Sequence, residues 1–89
     1  MPLIWGRVEA VTIGLGTRPR IIVTACAPGP QETIDAQVDR NTRIVRGICT
    51  VSLSDVKPGE FVELSYINVG GRTEACMVYL RAQEWLRGA

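Results

Sequence analysis

Residues 60–81 read EFVELSYINVGGRTEACMVYLR. Within Glu60 to Asn68, Val62, Leu64 and Tyr66 recur at every second position, the period of a strand with one face toward a core. Gly70-Gly71 then supplies two adjacent residues that accept positive φ, as a tight hairpin turn demands. The returning strand, Arg72 to Arg81, places Cys76, Val78 and Leu80 on one side and Ala75, Met77 and Tyr79 on the other. Both sides are apolar, so this strand is central, or its outer face is covered.

The same alternation continues upstream. Trp5 to Ile13 starts with Val8 and Ala10 in phase and then shifts to Val11 and Ile13, which predicts a bulge near Ala10–Val11. Arg20 to Ala27 carries Ile21-Ile22-Val23, a β-branched run that predicts burial on both faces. From Glu32 to Val38, Ile34, Ala36 and Val38 point inward, while Thr33, Asp35 and Gln37 point to water. Gly14-Leu15-Gly16-Thr17-Arg18-Pro19, Pro28-Gly29-Pro30, Asp39-Arg40-Asn41 and Ser54-Asp55-Val56-Lys57-Pro58-Gly59 punctuate these runs with turn chemistry. Thr42–Val45 and Ile48–Leu53 predict short extended pieces, and Ala82–Leu86 one helical turn whose Trp85 and Leu86 pack back.

Five main strands within 89 residues predict one all-β domain, 1–89. Its economical form is a small five-stranded barrel of the oligonucleotide/oligosaccharide-binding (OB-like) type, because closure removes sheet edges. A sandwich, which takes about seven strands and about 100 residues, ranks second.

Composition narrows the chemistry. With no histidine, Ser-His and Cys-His nucleophiles and most zinc and copper sites are ruled out. Asp35, Asp39, Glu60 and Glu63 fall on solvated strand faces or near turns, where carboxylates do ordinary surface work. Gly14-Leu15-Gly16 opens like a phosphate loop, but Pro19 takes the sixth position and no helix pattern follows. Cys26, Cys49 and Cys76 lack metal-ligand spacing; each sits among apolar or small neighbours and is predicted as a buried, reduced core filler. Thiols without a leader pattern at Met1-Pro2-Leu3-Ile4-Trp5 predict a cytoplasmic setting. No enzyme activity, cofactor, metal or membrane partner is expected.

The net charge is only +1, yet Arg40, Arg43, Arg46 and Lys57 cluster against the single Asp55. With Tyr79 they form the candidate nucleic-acid-binding set, since single strands bind cationic grooves with stacked aromatics. Ala75, Met77, Tyr79 and Trp85 form the competing candidate, an apolar stripe that a monomer should not leave wet; coverage by the chain's own C-terminal turn with Trp85 ranks first and a protein interface with another subunit next.

The order Gly6-x-Val8-x-x-Val11, Ile21-x-Val23, Asn41-Thr42-x-Ile44, Leu53-x-Asp55-Val56-Lys57-Pro58-Gly59-Glu60-x-Val62-x-Leu64 and Ala75-x-x-Val78-x-Leu80 resembles a family of small bacterial OB-like barrel domains of unknown function. The resemblance spans Gly6 to Leu80 and rests on turn glycines, an Asp-Val-Lys-Pro-Gly corner and alternating valines. It implies the barrel, transfers no catalytic residue, and brings an association with exported or lipid-anchored proteins. The expected function is a non-catalytic binding or interaction module, with a protein partner or a second copy preferred. A single-stranded nucleic-acid binder using the arginine segment is the alternative.

Overall fold

A computed structural model describes residues 2–14, 16–26 and 31–81. Seven strands follow in order: β1 (Leu3–Thr12), β2 (Arg20–Ala25), β3 (Thr33–Gln37), β4 (Arg43–Arg46), β5 (Cys49–Thr50), β6 (Phe61–Val69) and β7 (Arg72–Leu80), with a 3₁₀ turn at Leu53–Asp55. The sheet runs β3-β2-β1-β6-β7-β4-β5, and a parallel pairing of Gln37 with Glu74 joins β3 to β7. β1, β2, β3, β6 and β7 thus close a five-stranded barrel, as the alternation predicts. The predicted C-terminal turn and the Pro28-Gly29-Pro30 break lie outside the described residues.

β4 and β5 are an appended hairpin. β4 runs parallel to β7 from Arg43↔Met77 to Arg46↔Leu80, beyond the point where β3 leaves it. Between β3 and β4 the chain turns away at Asp39–Thr42, and there the Thr42 hydroxyl donates to the Ala75 carbonyl at 2.7 Å. A side chain thus supplies the bond that a strand neighbour would otherwise supply.

The two bulges of the barrel ladders lie in β1 and β7. Opposite β2, Val8 pairs with Val23 and Ala10 with Ile22, so Glu9 is the extra residue of a bulge. The expected phase shift is present, one to two residues earlier than predicted. Val11 packs against the core, while Ile13 stays exposed. In β7, Met77 pairs with Ser65 and Ala75 with Tyr66, leaving Cys76 as a second extra residue. That bulge corrects the predicted outward Ala75. It turns Ala75 inward, where it is only 5% exposed, and moves Cys76 to a half-buried position.

The core is one cluster, with Ile21, Val23, Val62, Leu64, Val78 and Leu80 sealed at its centre and Tyr66 packed against it. The cysteines are not its fillers: Cys26 and Cys49 are exposed. Both lie where strands end, Cys26 just past β2 and Cys49 at the start of β5, so flanking apolar residues did not report burial. The expected strand Ile48–Leu53 reduces to Cys49–Thr50 followed by the 3₁₀ turn.

Gly70 and Gly71 both take positive φ in the β6–β7 turn, as the hairpin requires. Gly6 has a different reason. A Cβ there would lie 2.3 Å from the Thr24 carbonyl oxygen and 2.8 Å from a Val23 methyl, because β1 passes β2 and β6 at one corner. Gly6→Ala is expected to destabilise the barrel by about 2 kcal/mol or more, the scale of overpacking against backbone. Gly14→Ala, whose nearest neighbour is a flexible Thr17 hydroxyl at 3.4 Å, serves as the near-neutral control in the same urea titration.

Candidate functional site

OB-like barrels commonly take ligands across the outer face of their second and third strands. In this chain that face is self-satisfied. Arg20 donates from Nε and a terminal nitrogen to both Asp35 oxygens at 2.9 and 2.8 Å. Thr24 and Thr33 share a hydroxyl contact at 3.3 Å, and Arg18 reaches the Gln37 side-chain carbonyl, also at 3.3 Å. β2 and β3 contain no aromatic residue. Asp35 is therefore an ion-pair partner and not simply a solvated carboxylate.

The neighbouring outer face, across β1, β6, β7 and β4, has the opposite character. Pairing register sets its rows: Trp5 beside Glu63, Glu63 beside Tyr79 and Tyr79 beside Val45; one step along, Leu3, Ser65, Met77 and Arg43. Arg7 pairs with Phe61 at one end, and its guanidinium carbon sits 4.8 Å from the ring centroid, a cation–π contact. Trp5 and Phe61 are 54% and 51% exposed, and Leu3 is comparably open. A shallow hollow of about 150 Å³ lies among Trp5, Phe61, Glu63, Tyr79 and Arg81.

The predicted residues fall unevenly on this map. Tyr79 and Met77 lie on the outer face, half-buried by their neighbours. Arg43 joins them at its edge, while Ala75 is in the core and Trp85 lies outside the described residues. Arg40 is exposed at the tip of the Asp39–Thr42 turn. Arg46 faces the other way: a terminal nitrogen donates to both Glu60 oxygens at 2.8 and 2.9 Å and to the Asp55 carbonyl at 2.9 Å. The side chains of Arg46 and Glu60 are each only 19% exposed. Lys57 is exposed, and its amide N–H donates to Glu60 Oε2 at 2.9 Å. The arginine segment is therefore not one groove, and Arg46 is structural. Sequence reasoning passed over Leu3, Trp5, Arg7 and Phe61 as a set; their signal was the odd-numbered positions of β1 and β6 facing away from Ile4, Val8, Val62 and Leu64.

Near this ion pair the 3₁₀ turn is held by Asp55. Its carboxylate accepts the Ser52 amide at 3.0 Å and the Ser52 hydroxyl at 3.1 Å. Those bonds, foremost the amide, hold Asp55 below its ordinary carboxylate value near 3.8, with weaker attraction from Arg46 and Lys57.

Among the described residues, no group of three or more cysteines and carboxylates is placed to hold a metal ion, and no helix is long and apolar enough to cross a membrane. The chain matches no family model, no curated protein and no solved structure.

Arg46→Ala is expected to lower unfolding free energy by about 1–3 kcal/mol, the range for losing hydrogen bonds to a charged group away from water. Arg40→Ala and Arg43→Ala should stay within about 0.5 kcal/mol of the parent in the same denaturant series. Asp55 adds a pH dependence. Its contribution is complete above its ordinary value near 3.8 and is lost as pH falls toward the lowered folded value. Asp55→Asn should therefore narrow the stability difference between neutral pH and about pH 3, measured by urea titration at both.

Proposed function

We propose that this chain is a non-catalytic interaction module whose contact surface is the outer face of β1, β6 and β7, and that the occupant of that face is a second copy of the chain. The observation that carries this is the concentration of exposed apolar side chains there. Leu3, Trp5 and Phe61, all about half exposed, lie on one face beside Tyr79 and Met77. Trp, Tyr, Phe, Met and Arg are the residue types enriched where proteins touch.

Charge supports a second copy. The face carries both signs, Glu63 at its centre and Arg7, Arg43 and Arg81 around it, so two copies related by a two-fold axis can set carboxylate against guanidinium. A net charge of +1 adds little long-range repulsion. Strand spacing and rise give this face, with neighbouring β4 included, roughly 300 Å², short of the roughly 800 Å² per partner of a standard interface. The association is therefore weak and reversible.

The second reading, a single-stranded nucleic acid stacking on the same aromatics, draws on the three arginines around them. Glu63 between Trp5 and Tyr79 weighs against it, because a polyanion would lie against a carboxylate.

Sedimentation velocity over a concentration series should show a reversible dimer with a dissociation constant on the order of 0.1–1 mM. Trp5→Ser and Phe61→Ser should abolish it while leaving the unfolding midpoint nearly unchanged. A parent chain that stays monomeric through that range overturns the reading. Low-salt binding of a fluorescent oligonucleotide, lost in the same variants, would replace it with the nucleic-acid reading.

A further inference from the structure

A larger hollow lies elsewhere, and none of the outer-face residues lines it. It is an open cleft of about 700 Å³ between the β1–β2 loop, the Asp39–Thr42 turn and the segment from Thr50 to Ser54. Its walls are mainly apolar, built from Pro19, Val38, Ile44, Val51 and Leu53. Val38, Ile44 and Leu53 are core residues, so the cleft reaches the end of the barrel interior. The reason lies in the connection from β3 to β6, whose only regular pieces are a four-residue strand, a two-residue strand and one 3₁₀ turn. That volume falls within the range of small-molecule sites, which are apolar pockets with a few orienting polar groups.

The orienting groups here have a sign. Four charged side chains line the cleft: Arg18, Arg40, Asp39 and Glu74. Glu74 lies 3.4 Å from Arg72, whereas Asp39 accepts only the neutral Asn41 amide at 2.8 Å and keeps its charge. The two arginines thus face one uncompensated carboxylate, and the lining stays net positive. The two bases are not comparably held. Arg18 makes one 3.3 Å bond to a neutral amide, and Arg40 has no side-chain hydrogen bond or ion pair among the described residues. An apolar wall with two available guanidiniums is complementary to one class of molecule.

We propose that this cleft is a binding site for a small amphipathic anion, an acyl or aryl carboxylate whose apolar body lies on Val38, Val51 and Leu53 and whose carboxylate is taken by Arg18 and Arg40. Guanidiniums suit this role because they bind carboxylates through paired, charge-assisted bonds. The site is independent of the self-association surface, so either can fail without the other.

The probes are octanoate and octan-1-ol, titrated into ¹⁵N-labelled protein and followed by amide shifts. Octanoate should give saturable shifts confined to the cleft, at residues 18, 37–42 and 50–54. The alcohol should bind at least about tenfold more weakly, one ion-pair's worth of discrimination. Arg18→Gln with Arg40→Gln should erase that preference while leaving the spectrum folded. Val51→Trp should fill the cleft and remove both ligands; the arginine pair keeps the test decisive if the tryptophan variant does not fold. Absence of saturable shifts, equal affinity for acid and alcohol, shifts gathered at Trp5 and Phe61 instead, or a double variant that retains the preference would each overturn the proposal.

Discussion

The barrel depends on how closely β1 passes its two partners at Gly6. This one strand pairs with β6 through Leu3–Arg7 and with β2 through Gly6–Thr12, so the residues near Gly6 belong to both ladders. At that shared position the β1 backbone lies against the Thr24 carbonyl with no space for a Cβ. Three residues on, the Glu9 bulge adds local twist and resets Val11 toward the core. The close approach and the bulge are halves of one corner.

How far the chain announces this corner depends on what flanks each irregularity. At Glu9 the slip shows in the sequence, because an acidic residue stands between Val8 and Ala10–Val11 and the apolar phase visibly changes. At Cys76 it does not. Ala75, Cys76 and Met77 are all apolar, so a strand with a bulge and one without have the same hydrophobic pattern, and alternation alone sent Ala75 to the wrong face. The exposed thiols share that cause. Alanines beside Cys26 and an isoleucine before Cys49 suggest burial, yet both cysteines sit where strand order ends. Ile48, before Cys49, is itself 99% exposed at the β4–β5 turn.

The arginine segment was legible in a way its charge count hides. Arg40, Arg43 and Arg46 are spaced by three, and on an extended chain a step of three reverses the side-chain direction. Arg43 and Arg46 therefore lie on opposite faces of β4: one borders the outer sheet, the other enters the Glu60 ion pair and ties the hairpin to the Lys57–Glu60 corner. Grouping them by proximity in sequence presumed a helix or a loop. The outer-face aromatics are the mirror case, because Trp5 and Phe61 are 56 positions apart and only the β1–β6 register brings their rows together.

That register also explains why the two hollows differ in character. On the outer face every position is set by strand pairing, so its polar members are locked into rows, with Glu63 fixed between Trp5 and Tyr79. On the proposed self-association surface, a carboxylate fixed there serves as a specificity element. It penalises phosphates drawn in by Arg7 and Arg43, and it offers a protein surface a partner for its own guanidinium. The cleft is set by turns instead, and its cations project from loop positions that no ladder constrains. Rigid rows suit an extended, shape-matched contact, whereas turn-borne arginines over an apolar wall suit a small ligand whose charge can be met from several angles. The two proposed surfaces are thus kept apart, one on the strands and the other on the connections.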